Sequence, residues 1–124
     1  MLPATNTQTF NPDVLQSETP VLVSFWAPWC GVCRWVEPML IQVQADYGSA
    51  LKIVTVNADE NFPIASQYRL TNIPSLLLFH QGRLIHRMDH FCDGRRPAFG
   101  HRTEALHLLE KALGKIVPSL MSAG

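Results

Sequence analysis

Two cysteines separated by two residues are the side chains of this 124-residue chain best suited to chemistry. They stand in Cys30-Gly31-Val32-Cys33, between an apolar run and a stretch of helical periodicity. A cysteine at the start of a helix faces unpaired N–H groups and the positive end of the helix dipole, which favour the thiolate that attacks disulfides. Two intervening residues keep Cys33 within about one turn of Cys30. The spacing predicts thiol–disulfide exchange, with Cys30 as the nucleophile and Cys33 as the resolving thiol.

The same spacing is compatible with two buried structural cysteines or with half of a zinc site. His90 and Cys92 would complete a set of three sulfurs and one nitrogen, which zinc accepts. Thiolate-rich zinc sites usually pair two short-spaced motifs, however, and His90-Phe91-Cys92 is an unusual second half. The prediction is therefore a redox-active cysteine pair with no metal and no other cofactor.

A strand must lead into this motif and a helix must follow it. The nearly continuous apolar run Val21–Trp26 is typical of a strand buried on both faces of a sheet. After Cys30, apolar residues recur near the helical period, and Pro38 predicts a kink. The remaining pattern predicts a short helix near Asn11, a strand over 51–56 and a short helix over 63–68. It also predicts a hairpin of strands 75–79 and 83–88, and a last helix over 103–113 that ends before Gly114.

The composition limits the classes of partner. Ten Lys and Arg balance ten Asp and Glu, so no net field attracts nucleic acid or an anionic membrane. The longest apolar runs are far shorter than the ~20 residues that cross a bilayer. The odd number of cysteines and an N-terminus without export features favour a cytoplasmic location. The length suits one domain over residues 1–124, without nucleic-acid or membrane partners.

The motif and its flanks resemble the thioredoxin family. The resemblance is carried by Phe25-Trp26-Ala27-Pro28-Trp29-Cys30-Gly31-Val32-Cys33-Arg34, by Pro38 and by Asn72-Ile73-Pro74-Ser75. It implies an α/β thioredoxin fold, in which a central mixed β-sheet is flanked by helices on both faces. It also implies a protein-disulfide oxidoreductase that acts on protein disulfides and receives electrons from a thioredoxin reductase.

The resemblance assigns supporting residues around the cysteines. It implies that Pro74 follows a cis peptide bond, which sets the Ile73 backbone beside Cys30, where an extended substrate would pair as an added strand. Trp29 is expected to border the substrate surface. Gly31 is the motif glycine that the family shares.

Three positions depart from the family pattern. Val32 replaces a proline and restores a backbone N–H in the first helical turn, which favours the thiolate and a more oxidising disulfide. Ser24 stands where thioredoxins bury an aspartate, and Thr55 stands where a lysine usually accompanies it. A serine does not act as a base for the resolving thiol at neutral pH. Gly31, Val32 and the missing aspartate together resemble the pattern of atypical cyanobacterial thioredoxins. The alternative function is therefore a redox-sensing or thiol-trapping module with little reductase turnover.

The segment 90–102 is longer than the usual thioredoxin connection to the last helix. We expect His90 and Cys92 to border the redox site, where an imidazolium would lower the pKa of Cys30 and a third thiol would capture it in an alternative disulfide. The other interpretation is a solvated loop with a buried cysteine. The tail after residue 118 is expected to fray.

Overall fold

Four strands form a central mixed sheet in this computed structural model, which describes residues 2–88, 92–93, 96–97 and 102–123. The strands are β1 (Val21–Trp26), β2 (Lys52–Asn57), β3 (Ser75–His80) and β4 (Arg83–Met88). Within the described residues their order is β2-β1-β3-β4. The β1–β2 pair is parallel, whereas β1–β3 and β3–β4 are antiparallel. The predicted mixed sheet is confirmed.

Helices cover both faces of this sheet. The long helix α1 (Gly31–Tyr47) connects β1 to its parallel neighbour β2, and α3 (Arg102–Ala123) packs beside α1. On the opposite face lie α2 (Phe62–Gln67) and a helical turn over Asn11–Leu15. Strand side chains alternate between the two faces because successive residues point in opposite directions. Leu22 therefore packs towards α1, and its neighbour Val23 packs towards the other core.

The N-terminal segment borders the outer edge of β2. The Thr5 N–H donates to the Thr55 carbonyl at 2.8 Å, and the Thr55 N–H donates to the Pro3 carbonyl at 2.9 Å. These bonds give Ala4 a parallel bridge to Thr55. An exposed strand edge otherwise presents unpaired backbone groups. The segment also closes one side of a cavity beneath α1, which is described below.

The predicted hairpin has a two-residue turn. Gln81 and Gly82 both adopt positive φ, 52° and 79°, as the tight turn between antiparallel strands requires. A Cβ on Gly82 would lie 3.3 Å from the Leu15 carbonyl oxygen. The turn therefore needs glycine at this position both for its backbone conformation and for its close approach to the helical turn.

The last helix extends further than the sequence pattern predicts. It continues through Gly114 and Pro118 to Ala123, so the prediction that the helix ends before Gly114 is wrong. The fraying of the tail after Pro118 stays a prediction. Gly114 does not adopt the positive φ of a helix-ending glycine. The proline ring meets the carbonyl four residues earlier, and here that residue is Gly114. The apolar period also continues, because Val117 is buried against the same core as Leu113.

The segment before α3 contains two short paired strands, β5 (Cys92–Asp93) and β6 (Arg96–Pro97). The extended loop predicted for 90–102 therefore includes antiparallel pairing. None of the helices described over 2–88 and 102–123 is both long and apolar enough to cross a membrane.

Candidate active site

Cys30 and Cys33 lie at the junction between β1 and α1. The strand ends at Trp26, the chain turns, and Cys30 occupies the N-cap position of the helix with an extended backbone. The two cysteines form a disulfide with a Cα–Cα distance of 5.4 Å, which is within the usual range for such bonds. The two cysteines are therefore close enough to form and break a disulfide with each other.

The backbone directs a hydrogen-bond donor at the first sulfur. The Cys33 N–H donates to Cys30 Sγ at 3.1 Å, which satisfies one of the N–H groups that every helix leaves unpaired at its start. When the disulfide is reduced, the same bond to a thiolate becomes charge-assisted. The N–H that donates to Cys30 Sγ is therefore that of Cys33. The Val32 N–H, which the sequence singled out, lies in the same helical turn but does not donate to this sulfur.

Solvent exposure does not distinguish the two sulfurs. Cys30 is 5% exposed and Cys33 is 8% exposed, so both thiols would be shielded from water. Their positions relative to the helix do distinguish them, since only Cys30 accepts a bond from the helix N-terminus. Thiolate character therefore favours Cys30 as the attacking group.

The segment before β3 contacts the cysteine pair. The Ile73–Pro74 peptide bond is cis, as the resemblance implied. Cys30 Sγ lies 3.7 Å from the Ile73 carbonyl oxygen, and Pro74 is buried. The predicted position of the Ile73 backbone beside Cys30 is confirmed. A polar backbone group is thus next to Cys30 Sγ.

Trp29 forms an exposed aromatic surface beside the motif. Its ring is 69% exposed, and its Nε1–H donates to Asp59 Oδ2 at 2.9 Å and to Oδ1 at 3.3 Å. Asp59 was not among the residues predicted for the site. The predicted strands could have indicated this contact. Because β1 and β2 are parallel, Trp29, which follows β1, and Asp59, which follows β2, lie at the same edge of the sheet.

A cavity of about 480 Å³ lies beside Cys33. Its described lining comes from the N-terminal segment, β1, β2, the turn before α1 and the first half of α1: Leu2, Ala4, Ser24, Trp26, Ala27, Pro28, Cys33, Arg34, Glu37, Leu40 and Thr55. Ser24 and Thr55 are direct partners in the β1–β2 register. The two positions at which the sequence departs from the family's buried charges thus face a common space beside Cys33. The sequence analysis identified neither the cavity nor Glu37.

The positions of the two predicted modulators, His90 and Cys92, relative to the site stay predictions. His90 lies outside the described residues, and for Cys92 only the backbone is described, in β5. The proposals about their side chains therefore stay predictions. Among the residues that the structure describes, no cluster of three or more His, Cys, Asp or Glu side chains is arranged to hold a metal ion.

The fold and the cysteine pair define a protein-disulfide oxidoreductase built on a mixed sheet, with its disulfide at the start of a helix. Residues 2–97 match the thioredoxin family model. Thioredoxin 1 of Synechococcus elongatus is 48% identical over 77 residues, which cover 62% of this chain and 72% of that protein. Thioredoxin of Synechocystis sp. is 46% identical over 83 residues, or 67% of this chain and 78% of that protein.

A chloroplast protein is also similar: the M-type thioredoxin of Chlamydomonas reinhardtii is 44% identical over 80 residues, which cover 64% of this chain and 57% of that protein. The chain belongs to the thioredoxin family. It is a thiol–disulfide oxidoreductase, and its reaction uses the cysteine pair without a further cofactor.

Proposed function

We propose that this protein reduces disulfides of protein substrates, with Cys30 as the attacking thiolate and Cys33 as the resolving thiol. The observation that carries this assignment is the 3.1 Å bond from the Cys33 N–H to Cys30 Sγ at the start of α1. It gives one sulfur of the pair, and not the other, a backbone donor for negative charge.

The reaction takes two exchange steps. The Cys30 thiolate attacks one sulfur of the substrate disulfide, forming a mixed disulfide and releasing the other sulfur as a thiolate. Cys33 then loses its proton and attacks Cys30 Sγ, which closes the Cys30–Cys33 disulfide and releases the second substrate sulfur. Two electrons pass from the protein dithiol to the substrate, whose two thiolates take up protons from Cys33 and from solvent. The oxidised product is the state that the structure contains.

The surface beside Cys30 is suited to an extended polypeptide. The Ile73 carbonyl lies next to the sulfur and offers a backbone acceptor for an added strand, while the exposed Trp29 ring provides apolar contact area. We therefore propose protein disulfides in extended segments as substrates. We also propose a thioredoxin reductase as electron donor and a cytoplasmic, reducing compartment, because a dithiol that donates electrons must be reduced again after each cycle.

A trapping or sensing role is the second candidate, and Ser24 supports it. Ser24 presents a hydroxyl instead of a carboxylate to the cavity beside Cys33. Slow resolution would prolong the mixed disulfide with a partner. Reduction of insulin by dithiothreitol in the presence of this protein distinguishes the candidates: turnover near that of an ordinary thioredoxin contradicts trapping, whereas a long-lived adduct with little turnover supports it.

Two single variants test the roles of the sulfurs. We expect Cys30→Ser to abolish exchange, because the remaining thiol lacks the helix-terminal donor. We expect Cys33→Ser to attack normally and then accumulate a mixed disulfide, since nothing resolves it. Mass spectrometry of both variants after incubation with a disulfide-containing protein measures this difference. Equal trapping by the two variants would contradict the assignment.

A further inference from the structure

The resolving step requires an acceptor for the Cys33 proton. A free cysteine thiol has a pKa of about 8.5, so only a few per cent is thiolate at neutral pH. Cys33 is buried, and burial in apolar surroundings disfavours the thiolate further. The Cys33 side chain must therefore give up its proton to a group within the protein or to water that reaches it.

The cavity beside Cys33 contains one carboxylate among its described lining residues, that of Glu37. Glu37 stands four residues after Cys33 on α1, so the two side chains lie on one face of the helix. Helical side chains also lean towards the helix N-terminus, which directs the Glu37 side chain back over the turn that contains Cys33. Glu37 is itself exposed, so solvent reaches its carboxylate.

The space between these groups is polar enough to hold water. Ser24 is only 5% exposed, it lines the cavity, and its hydroxyl makes no hydrogen bond to the described residues. No buried side-chain oxygen or nitrogen among the described residues lacks a hydrogen-bond partner, so the Ser24 hydroxyl is open to the cavity, where water can bind to it. One water needs roughly 10–15 Å³, and the cavity of about 480 Å³ is far larger. Thr55 adds a second hydroxyl from the adjacent strand.

The charges around this cavity favour proton transfer. Its described charged or titratable lining groups are Cys33, Arg34 and Glu37, all on α1, whereas β1, β2 and the N-terminal segment contribute none. Arg34 adds a positive charge to the lining of the same cavity, and a positive charge near a thiol favours its thiolate form. The helix α3 packs against α1, and its Glu110 lies near Tyr47 at the other end of α1. Burial, and then the negative charge of Glu110, raise the pKa of Tyr47.

We propose that Glu37 accepts the proton of Cys33 during resolution, through water held in this cavity. The proposal rests on the proposed function, in which Cys33 resolves the mixed disulfide. The Cys33 S–H bond breaks, its proton passes through water to the Glu37 carboxylate, and the sulfur's electron pair attacks Cys30 Sγ. The departing substrate thiolate takes up a proton from solvent, and the Glu37 carboxyl returns its own proton to solvent. Glu37 thus supplies the base that Ser24 does not.

The experiment separates attack from resolution in one trace. The reduced protein is mixed in a stopped-flow instrument with the aromatic disulfide dithiobis-nitrobenzoate, whose thiol product is coloured. All proteins carry Cys92→Ser, so that the third cysteine of the chain releases no coloured thiol. The first equivalent of coloured thiol then reports attack by Cys30, and the second reports resolution by Cys33. The parent is compared with Glu37→Gln and with the matched control Glu18→Gln, which neutralises an exposed carboxylate outside the cavity.

We expect the first phase to be unchanged in both variants, which also shows that both fold. The second phase should slow at least about tenfold in Glu37→Gln and stay unchanged in Glu18→Gln. In the parent its rate should vary little with pH between the carboxylate and thiol pKa values. In Glu37→Gln it should fall about tenfold for each pH unit below the thiol pKa, because only preformed thiolate reacts.

A second phase that is faster in Glu37→Gln than in the parent would overturn the proposal. If Glu37 acted only as a nearby negative charge, it would disfavour the thiolate, so its removal would speed the second phase. An unchanged or faster second phase in Glu37→Gln, or a parent pH profile as steep as that of the variant, refutes the proton acceptor. A missing first phase in the parent refutes the proposed function instead, so the two failures are distinguishable.

Discussion

A carboxyl introduced at Ser24 is the most informative perturbation of the cavity. Ser24→Asp places an acid beside Cys33 on a position that is 5% exposed. Burial disfavours the charged form, so the pKa of the introduced carboxyl should lie above its ordinary value of about 3.9. Each unit of that increase removes about 1.4 kcal/mol from the free energy of unfolding at neutral pH. Because the cavity has room for water, we expect a loss of about 1–3 kcal/mol.

The free energy of unfolding of Ser24→Asp should depend on pH in a defined direction. A carboxyl whose pKa is higher in the folded than in the unfolded protein binds more protons when folded. The stability of Ser24→Asp should therefore fall as pH rises from about 4 to the folded-state pKa, and then level off. Ser24→Asn is the matched control, because it fills a similar volume without an ionisable group. Urea unfolding of both variants at a series of pH values gives the difference in free energy directly.

The same variant should speed resolution. A base beside Cys33 is expected to raise the rate of the second coloured-thiol phase about tenfold near neutral pH. The gain should be larger in a Glu37→Gln background, where no other carboxylate lines the described cavity. Identical stability profiles and identical second-phase rates for Ser24→Asp and Ser24→Asn would refute both the burial argument and the need for a base.

Three further substitutions test the surroundings of the site. Asp59→Ala removes the acceptor of the exposed Trp29 indole N–H, so we expect the free energy of unfolding to fall by less than about 1 kcal/mol. We also expect the reduction of a protein disulfide to slow more than the reduction of the small aromatic disulfide. Equal slowing would contradict a role for Trp29 in substrate contact. Val32→Pro removes an N–H from the first turn of α1 and should raise the pKa of Cys30, making the disulfide more reducing by about 6–20 mV. Glutathione equilibration measures this shift, and a more oxidising disulfide would contradict it. Gly114→Ala should raise the free energy of unfolding by about 0.5–1 kcal/mol, because the added Cβ would lie at an ordinary 3.9 Å from the Tyr47 hydroxyl. Destabilisation in urea would show that Gly114 is needed for space.

The sequence by itself determined the features that depend on neighbouring residues. The apolar run before the motif predicted β1, the periodicity after Cys30 predicted α1, and Gln81-Gly82 predicted the hairpin turn, because each signal lies within a few residues of the structure it produces. The chemistry of the cysteine pair was predictable for the same reason, since the spacing of Cys30 and Cys33 is itself local. The cis bond before Pro74 came from the resemblance, as local chemistry does not favour it.

Local signals failed where distant packing decides the outcome. Gly114 and Pro118 are ordinary helix-ending signals, yet α3 continues past both. Beyond Gly114, Val117 remains buried against the core. The local cost of Gly114, about 1 kcal/mol, is smaller than the gain from burying Val117, about 1.5–3 kcal/mol. The cost of an interior proline, about 3 kcal/mol, is not exceeded by this one side chain.

Only the tertiary structure placed the groups that surround the sulfurs. Asp59 meets Trp29 because β1 and β2 are parallel and end at one edge of the sheet. Ser24 and Thr55 face one cavity because they are partners across those two strands, and α1 brings Glu37 to the same space. Each of these contacts joins residues from separate elements, and their proximity depends on strand register and helix packing. No pattern within a short window of sequence encodes that register.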